Sequence, residues 1–416
     1  MRLAIFYTSL FYFDGQNCTA DVIQHVSFPP LKEYFDEIYV IAGVKNTQAI
    51  RGVHRVDLQT LKVLALPSFT SGYQLYVLKF PYIVAHLLKL FLDKGKDWDV
   101  VLLWEPTVLN QVVFLLCKAF RKPVALRMTG RHDMLIWETA KYKSPWRRPL
   151  SWFHSRWVRT AEYFFSRTVP ILTDGNMDFA PKGLRGKVPK RGNPAVVFGI
   201  DGIPNPERFL GQNAQQAPME NSPFRVLSIQ RGHPQKGLEY LLEAIALLRE
   251  RDIDARLDLV GPLYGEAYQG YEYFLRRRAR ELGIENVTRF WGALERGSQF
   301  YKLYDEAHAM AVTCATQADG VPKVVFEALA KGIPVVATKV GGMPMVIRHR
   351  ENGILVEPRN ARSLADGLQL IAENNDLRER TIQTGKAEAP KYADHEAIKQ
   401  LIAIIESALP DKGGVS

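Results

Sequence analysis

Two consecutive α/β domains, each a parallel sheet with helices on both faces, are the architecture this sequence predicts, and three observations predict it. The chain has 416 residues, 47% apolar and 24% charged, which is too long for one ordinary core and too apolar for disorder. Short apolar runs alternate with helix-length amphipathic stretches, as parallel strands joined by crossover connections require. A polar stretch rich in Gly, Pro and Gln at 204–223 interrupts the alternation, after which it resumes.

In the first half, runs at 3–8, 38–42, 100–104, 124–127 and 169–172 read as strands buried on both faces. In the second half, strands are expected near 224–229, 257–260, 287–290, 309–313 and 334–337, with a helical pattern at 238–248 among the connections. The domains are placed at 1–205 and 206–390, with 391–416 as a C-terminal helix that packs back on the first domain. Ligands of doubly wound sheets bind beyond the C-terminal strand edges, so two such domains would face each other across a cleft.

The opening Met1-Arg2-Leu3-Ala4-Ile5-Phe6-Tyr7 reads as a buried first strand rather than a secretion signal, because aromatics and Asp14 follow where a small-residue cleavage site belongs. The most lipid-like run, 75–92, is broken by Lys79, Pro81, His86 and Lys89, short of the roughly 20 apolar residues of a spanning helix. Cys18, Cys117 and Cys314 are scattered and form no metal-ligand spacing. They read as buried thiols of a reducing compartment.

The net charge of +10 sits in one place. Residues 101–200 carry 17 Lys and Arg against 6 Asp and Glu, whereas residues 1–100 carry 10 against 9 and residues 201–416 carry 27 against 29. A partner that needs positive charge therefore meets the N-terminal half. Residues 141–159 mix basic side chains with Trp146, Trp152 and Trp157. That is the composition of a segment lying on an anionic membrane surface, or of a solvated helix whose tryptophans face the core. No nucleic-acid recognition motif accompanies the charge, and no nucleic-acid partner is expected.

The most informative segment runs from Asp319-Gly320-Val321-Pro322-Lys323 through Glu327 to Val340-Gly341-Gly342, in the order loop, helix, strand, glycine loop. Gly320 and Pro322 precede the helical run, so free N–H groups at its start can face an oxygen-rich ligand, and Gly341 and Gly342 repeat the device after the next strand. Asp319 in the loop and Glu327, about two turns into the helix, can reach different hydroxyls of one extended ligand.

This segment resembles the acidic E-x7-E region of retaining glycosyltransferases of the GT-B fold, family 4 (glycosyl transferases group 1). Ser228-Ile229-Gln230-Arg231-Gly232-His233-Pro234-Gln235-Lys236-Gly237 is similar to the family's G-R-L-x-x-x-K-G, and Asn352-Gly353-Ile354-Leu355-Val356-Glu357-Pro358 to its N-G-L-L-V-x-P. The resemblance implies two Rossmann-like domains and a nucleotide-diphosphate sugar, UDP- or GDP-linked, as donor, with no cofactor and no metal. It implies that Arg231 and Lys236 hold the diphosphate and that Glu327 binds the ribose. Asp319, with Gly320, Val321, Pro322 and Lys323, would grip the donor sugar. Asp319 stands where the family has Glu, Met345 where it commonly has an acid, and only Gly15 remains of its first-loop Gly-Gly pair.

In the first domain, Arg127-Met128-Thr129-Gly130-Arg131-His132-Asp133 resembles the loop in which the family places a catalytic His, which points to His132, with Arg131 and Asp133 beside the acceptor. Trp98 to Glu105 resembles the strand that ends at the acceptor cleft, which makes Glu105 an acceptor contact. The function implied is retaining transfer of a sugar to a saccharide or lipid-linked acceptor in cell-surface polysaccharide synthesis, at the cytoplasmic face of the membrane. A sugar-nucleotide-binding protein without turnover and a basic membrane-binding adaptor are the competing readings.

Overall fold

The computed structural model describes residues 1–13, 18–20, 29–46, 54–56, 61–67, 79–129, 148–175, 177–178, 180–186, 190–191, 193–199, 209, 222–262, 270–317 and 319–410. The chain divides into two compact units, Met1–Asp201 with His395–Ser416, and Gly202–Asp394.

The first unit is built on nine described strands: β1 (Arg2–Phe13), β2 (Cys18–Ala20), β3 (Glu37–Asn46), β4 (His54–Val56), β5 (Leu61–Pro67), β6 (Val100–Trp104), β7 (Val124–Met128), β8 (Pro170–Thr173) and β9 (Ala195–Phe198). Seven run in parallel in the order β5-β3-β1-β6-β7-β8-β9. β1 is longer than the apolar run at 3–8 predicts. Its far end, Phe11–Phe13, pairs antiparallel with β2, which pairs in turn with β4.

Successive residues of a strand face opposite sides of a sheet, and the two cores of this unit follow that alternation. Ala4, Phe6, Val101 and Leu103 face α1 (Phe80–Lys94) and α2 (Val108–Ala119), through Ile83, Leu87, Phe91 and Val113. Leu3, Ile5, Val100 and Leu102 face the opposite core. There the C-terminal helix (Asp394–Ser407) contributes Leu401, Ile402, Ile404 and Ile405. Trp98 packs edge to face on Phe6 at 5.7 Å and on Phe91 at 5.2 Å, and those two rings stack on each other. α1 covers much of the lipid-like run and buries one face of it. Among the described residues no helix is long and apolar enough to cross a membrane. α3 (Arg148–Phe165) completes the described helices before the second unit.

The second unit has β10 (Phe224–Ile229), β11 (Ala255–Val260), β12 (Thr288–Gly292), β13 (Ala309–Val312), β14 (Val335–Thr338) and β15 (Ile354–Val356), all parallel in the order β12-β11-β10-β13-β14-β15. Its helices are α4 (Leu238–Glu250), α5 (Tyr271–Glu281), α6 (Ser298–Glu306), α7 (Lys323–Lys331), the single-turn α8 (Met343–Val346), α9 (Ala361–Glu373) and α10 (Asn375–Glu388). One face of the sheet closes on α4, α5 and α9 through Leu241, Ile245, Leu275, Leu364 and Leu368. The strand order turns back at β10, whose chain successor β11 lies on one side and β13 on the other. Loops leaving β10 and β13 diverge there, which leaves room for a ligand at their C-terminal ends.

Ile404 is fully buried near the end of the chain. Ile404→Ala should cost about 2–5 kcal/mol, and chemical denaturation of the pure protein checks it. An unchanged midpoint would mean that the C-terminal helix is not part of that core.

Candidate functional site

The loops at the turn-back of the second sheet are bound to one another. Gln230, at the end of β10, donates to Thr313 Oγ1 at 3.2 Å, and Thr313 donates to the Lys236 carbonyl at 2.7 Å. Ala315 N donates to the Gln235 carbonyl at 2.7 Å. A short 3-10 turn, Pro234–Lys236, ends in Gly237 at φ 60°, where a side chain would be strained. These links fix the start of Lys236, whose ammonium reaches across to Asp319 Oδ1 at 2.5 Å.

Lys236 is mostly buried. Burial works against its charge, but contacts with Cys314 and Asp319 outweigh burial and raise its pKa. The Cys314 thiol, 3.8 Å from Lys236 Nζ, is pushed up to about 12 by burial and is inert as a nucleophile. Arg231 is exposed, and its guanidinium has no hydrogen-bond or ion-pair partner among the described residues. Two cations thus stand on one loop, one held and one open.

Asp319 accepts from Lys236 on one oxygen, while Oδ2 is buried without a hydrogen-bond partner among the described residues. A buried, unpartnered carboxylate oxygen is costly. A hydroxyl donor from a ligand would remove that cost. Asp319 is held by its backbone: Gly342 N donates to its carbonyl at 3.3 Å, and a Cβ on Gly341, at φ 54°, would collide with that same carbonyl. The expectation that the Gly341 and Gly342 N–H groups face a ligand is therefore corrected. Gly341 N donates to Gln317 Oε1 at 3.0 Å, and both glycines brace the Asp319 loop.

α7 begins at Lys323 with Pro322 as its N-cap, which offers no side-chain acceptor to the first turn. Gly320 and Val321 lie in the loop between Asp319 and that cap. Because Pro322 delays the helix, Glu327 is its fifth residue, just over one turn in rather than two. Glu327 is also fully buried. Its Oε1 accepts from Arg296 at 2.6 Å and its Oε2 from the Tyr304 hydroxyl at 2.5 Å. Burial opposes the charge on Arg296, Glu327 reverses that, and the net shift is upward. Burial, reinforced by Glu327, holds the Tyr304 hydroxyl protonated. A carboxylate has about four acceptor positions, so a ligand's hydroxyls would share Glu327 with these partners or displace Arg296, which is 31% exposed. Nothing in the sequence pairs Arg296 and Tyr304 with Glu327, since they lie 31 and 23 residues away.

His233 is a further residue that spacing did not single out. It caps the turn that carries Lys236, its Nδ1 accepting from Gln235 N at 3.0 Å. Burial, then Arg231 and Lys236, bring its pKa down to about 4 against the pull of Asp319. The third motif, at 352–358, is structural: Asn352 is buried, donates to the Val346 carbonyl at 2.9 Å and accepts from Arg348 N at 2.7 Å, bracing the turn between α8 and β15.

In the first unit, Glu105 follows β6 in the left-handed region, φ 73°, a conformation uncommon for a residue with a side chain. Asn110 Nδ2 holds it by donating to the carbonyls of Trp104 and Glu105 at 2.7 and 2.8 Å. The buried Glu105 carboxylate accepts from Thr129 N at 3.2 Å and from the Thr129 hydroxyl. It anchors Thr129, the last described residue before Arg131, His132 and Asp133 in the sequence. Those three residues and Gly15 lie outside the described residues, as do residues 141–147 and most of 204–223.

The family model described as glycosyl transferases group 1 matches residues 212–388. The match spans the candidate site from Arg231 to Glu327. The chain is 30% identical over 189 residues to an uncharacterized glycosyltransferase of Methanocaldococcus jannaschii, covering 45% of this chain and 46% of that protein. It is 29% identical over 190 residues to the D-inositol 3-phosphate glycosyltransferase of Corynebacterium glutamicum, covering 45% and 44%. The chain thus spans about half the length of the curated relatives it matches. The Anabaena protein HepE, solved in complex with UDP and glucose, superposes with a TM-score of 0.65 at 18% identity over 97% of this chain and 98% of that one. The two parallel-sheet α/β domains therefore have the GT-B fold.

Two outcomes test this geometry. Gly341→Ala should push the Asp319 carbonyl aside, lowering the melting temperature and weakening any ligand held beside Asp319; an unchanged melting curve contradicts the packing. The imidazole of His233 titrates near its ordinary 6.5 in the unfolded chain and near 4 in the folded one, so below about pH 6.5 the unfolded state binds the extra proton and stability falls with pH. His233→Gln should shrink the loss of melting temperature between about pH 7 and pH 4.5, and an equal loss contradicts the assignment.

Proposed function

We propose that the protein is a retaining glycosyltransferase that moves a hexosyl unit from a UDP- or GDP-linked donor to a saccharide or lipid-linked acceptor in cell-surface polysaccharide synthesis. The observation that carries this reading is the grouping of the open Arg231, the held Lys236 and the unpartnered Asp319 oxygen in a group 1 domain. The crystal complexes of HepE with UDP and with UDP-glucose favour UDP as the nucleotide.

Arg231 and Lys236 meet the diphosphate and stabilise the charge that grows on it as the glycosidic bond breaks, in place of a metal ion. A diphosphate competes with Asp319 for Lys236, and the Asp319 carboxylate then turns to the hydroxyls of the donor sugar. Loop backbone at Gly320, Val321, Pro322 and Lys323 and the uncapped N-terminus of α7 face the same ligand. Glu327 takes the ribose hydroxyls once Arg296 yields or shares its oxygen. In the retaining reaction the bond from the anomeric carbon to the diphosphate oxygen breaks, and the acceptor oxygen bonds to the same face as its proton passes to the departing phosphate. The family resemblance assigns His132 to the sugar, Arg131 and Asp133 to the acceptor and Gly15 to the phosphates, and these roles are part of the proposal. The basic 101–200 region draws an acidic acceptor at the cytoplasmic face of the membrane.

Calorimetric titration with UDP-glucose, UDP-galactose and GDP-mannose should show micromolar binding of one of them, weakened about 10- to 100-fold by Arg231→Ala or Lys236→Ala. Asp319→Ala should lose affinity for the sugar conjugate but keep it for the free nucleotide. Binding without turnover on any acceptor would favour the nucleotide-binding reading, and no binding would overturn the site. In a productive assay, proton NMR of the product should show a retained anomeric configuration and EDTA should leave the rate unchanged.

A further inference from the structure

α3 has a face that the fold leaves uncovered. Residues repeat at 3.6 per turn, and on this spacing the buried Val158, Glu162 and Phe165 line one side of the helix. The opposite side carries Trp152, Phe153, Trp157, Tyr163 and Phe164, exposed by between 44% and 66%. Such large rings are among the side chains a fold most readily buries, and five on one helix form a contiguous apolar band. Trp152 and Trp157 therefore do not pack into the core, and Trp146 lies outside the described residues.

Arg156 lies on that side and Arg148 and Arg159 on its flank, all exposed, with Arg167 just beyond the helix end. None of the four makes a salt bridge among the described residues. The one carboxylate in the helix, Glu162, is on the buried side. Arg156 lies over the Trp152 ring at 5.4 Å and Arg167 over Tyr163 at 3.3 Å, so cations and rings form one layer. α2 extends that layer, since Trp157 Nε1 donates to Gln111 at 2.7 Å and Phe164 packs on Phe114 at 5.7 Å. Beside these contacts Leu115 is 65% exposed and Lys118 lies over the Phe114 ring.

We propose that this face of α3, continued by Leu115 and Lys118, docks on an anionic lipid bilayer. Indole and phenol rings settle at the headgroup boundary, arginine binds phosphate through paired N–H groups, and each cation near a negative surface adds about 1 kcal/mol. An 18-residue helix offers about 27 Å of such contact along the membrane plane. A protein partner would have to supply a carboxylate for each unpaired arginine, whereas an anionic bilayer supplies phosphate everywhere. This deepens the reading of a lipid-linked acceptor and rests on it only for the biological purpose of the contact.

Flotation of the full chain with vesicles of phosphatidylcholine alone and of phosphatidylcholine with phosphatidylglycerol tests the proposal. The chain should float with the anionic vesicles at least tenfold better than with the neutral ones, and less as salt rises. Arg156→Glu with Arg159→Glu, and separately Trp152→Ser with Phe153→Ser, should each lower that binding at least tenfold while leaving nucleotide-sugar affinity unchanged. Equal binding to both vesicles, binding to neither, or binding that survives both double substitutions overturns the proposal, and a stable protein complex captured by the same face in its place does so too. Vesicle binding that holds while no nucleotide sugar binds would leave the surface standing and remove the transferase reading.

Discussion

The ion pair between Lys236 and Asp319 is the interaction on which the rest of the second domain's site depends. It joins the loops that leave β10 and β13, which the strand order sends apart. Taking both charges out of water costs several kcal/mol, and only one oxygen of Asp319 receives a partner in return. Such a pair is weak as a stabilising device and well suited to being exchanged. A ligand that brings a diphosphate for Lys236 and hydroxyls for Asp319 would leave neither group unpaired. The glycine pair at 341–342 makes this arrangement possible, since a side chain at Gly341 would occupy the place of the Asp319 backbone.

Glu327 shows the opposite design. Its charge is fully buried and both its oxygens accept from protein donors, Arg296 and Tyr304. This pre-pays the burial of the carboxylate and fixes its direction before any ligand arrives. A ligand hydroxyl that reached Glu327 would need a rearrangement or a shared bond at Arg296, the member of the trio with solvent access. His233 completes the picture: kept neutral next to two cations, it adds no third charge to a loop already rich in them.

Much of the fold was legible because parallel strands buried on both faces leave continuous apolar runs, such as Val100–Trp104 and Phe224–Ile229. Two missed strands, β9 (Ala195–Phe198) and β15 (Ile354–Val356), are apolar but only four and three residues long, and the other missed pieces lack that signature. The three-residue β2 and β4 are too short to show a period, and β5, Leu61–Pro67, alternates with exposed residues as an edge strand does. The tail of β1 that pairs with β2 could not be read from the run at 3–8. In the candidate site, Arg231, Lys236, Asp319 and Glu327 were singled out through motifs whose order and spacing resemble those of the family. Their partners were not, because Arg296, Tyr304 and Gln317 come to them through tertiary packing that no local pattern encodes. The Gly341-Gly342 pair looked like a second anion cradle because glycine-rich turns serve ligands and backbone packing alike.

A crystal structure of the chain with the nucleotide sugar that binds it tests the central claim most directly. The account predicts the diphosphate against Arg231 and Lys236, the Lys236–Asp319 contact opened, and a sugar hydroxyl donating to Asp319 Oδ2. A nucleotide bound elsewhere, or one bound with that ion pair intact and Asp319 Oδ2 still without a donor, would contradict it.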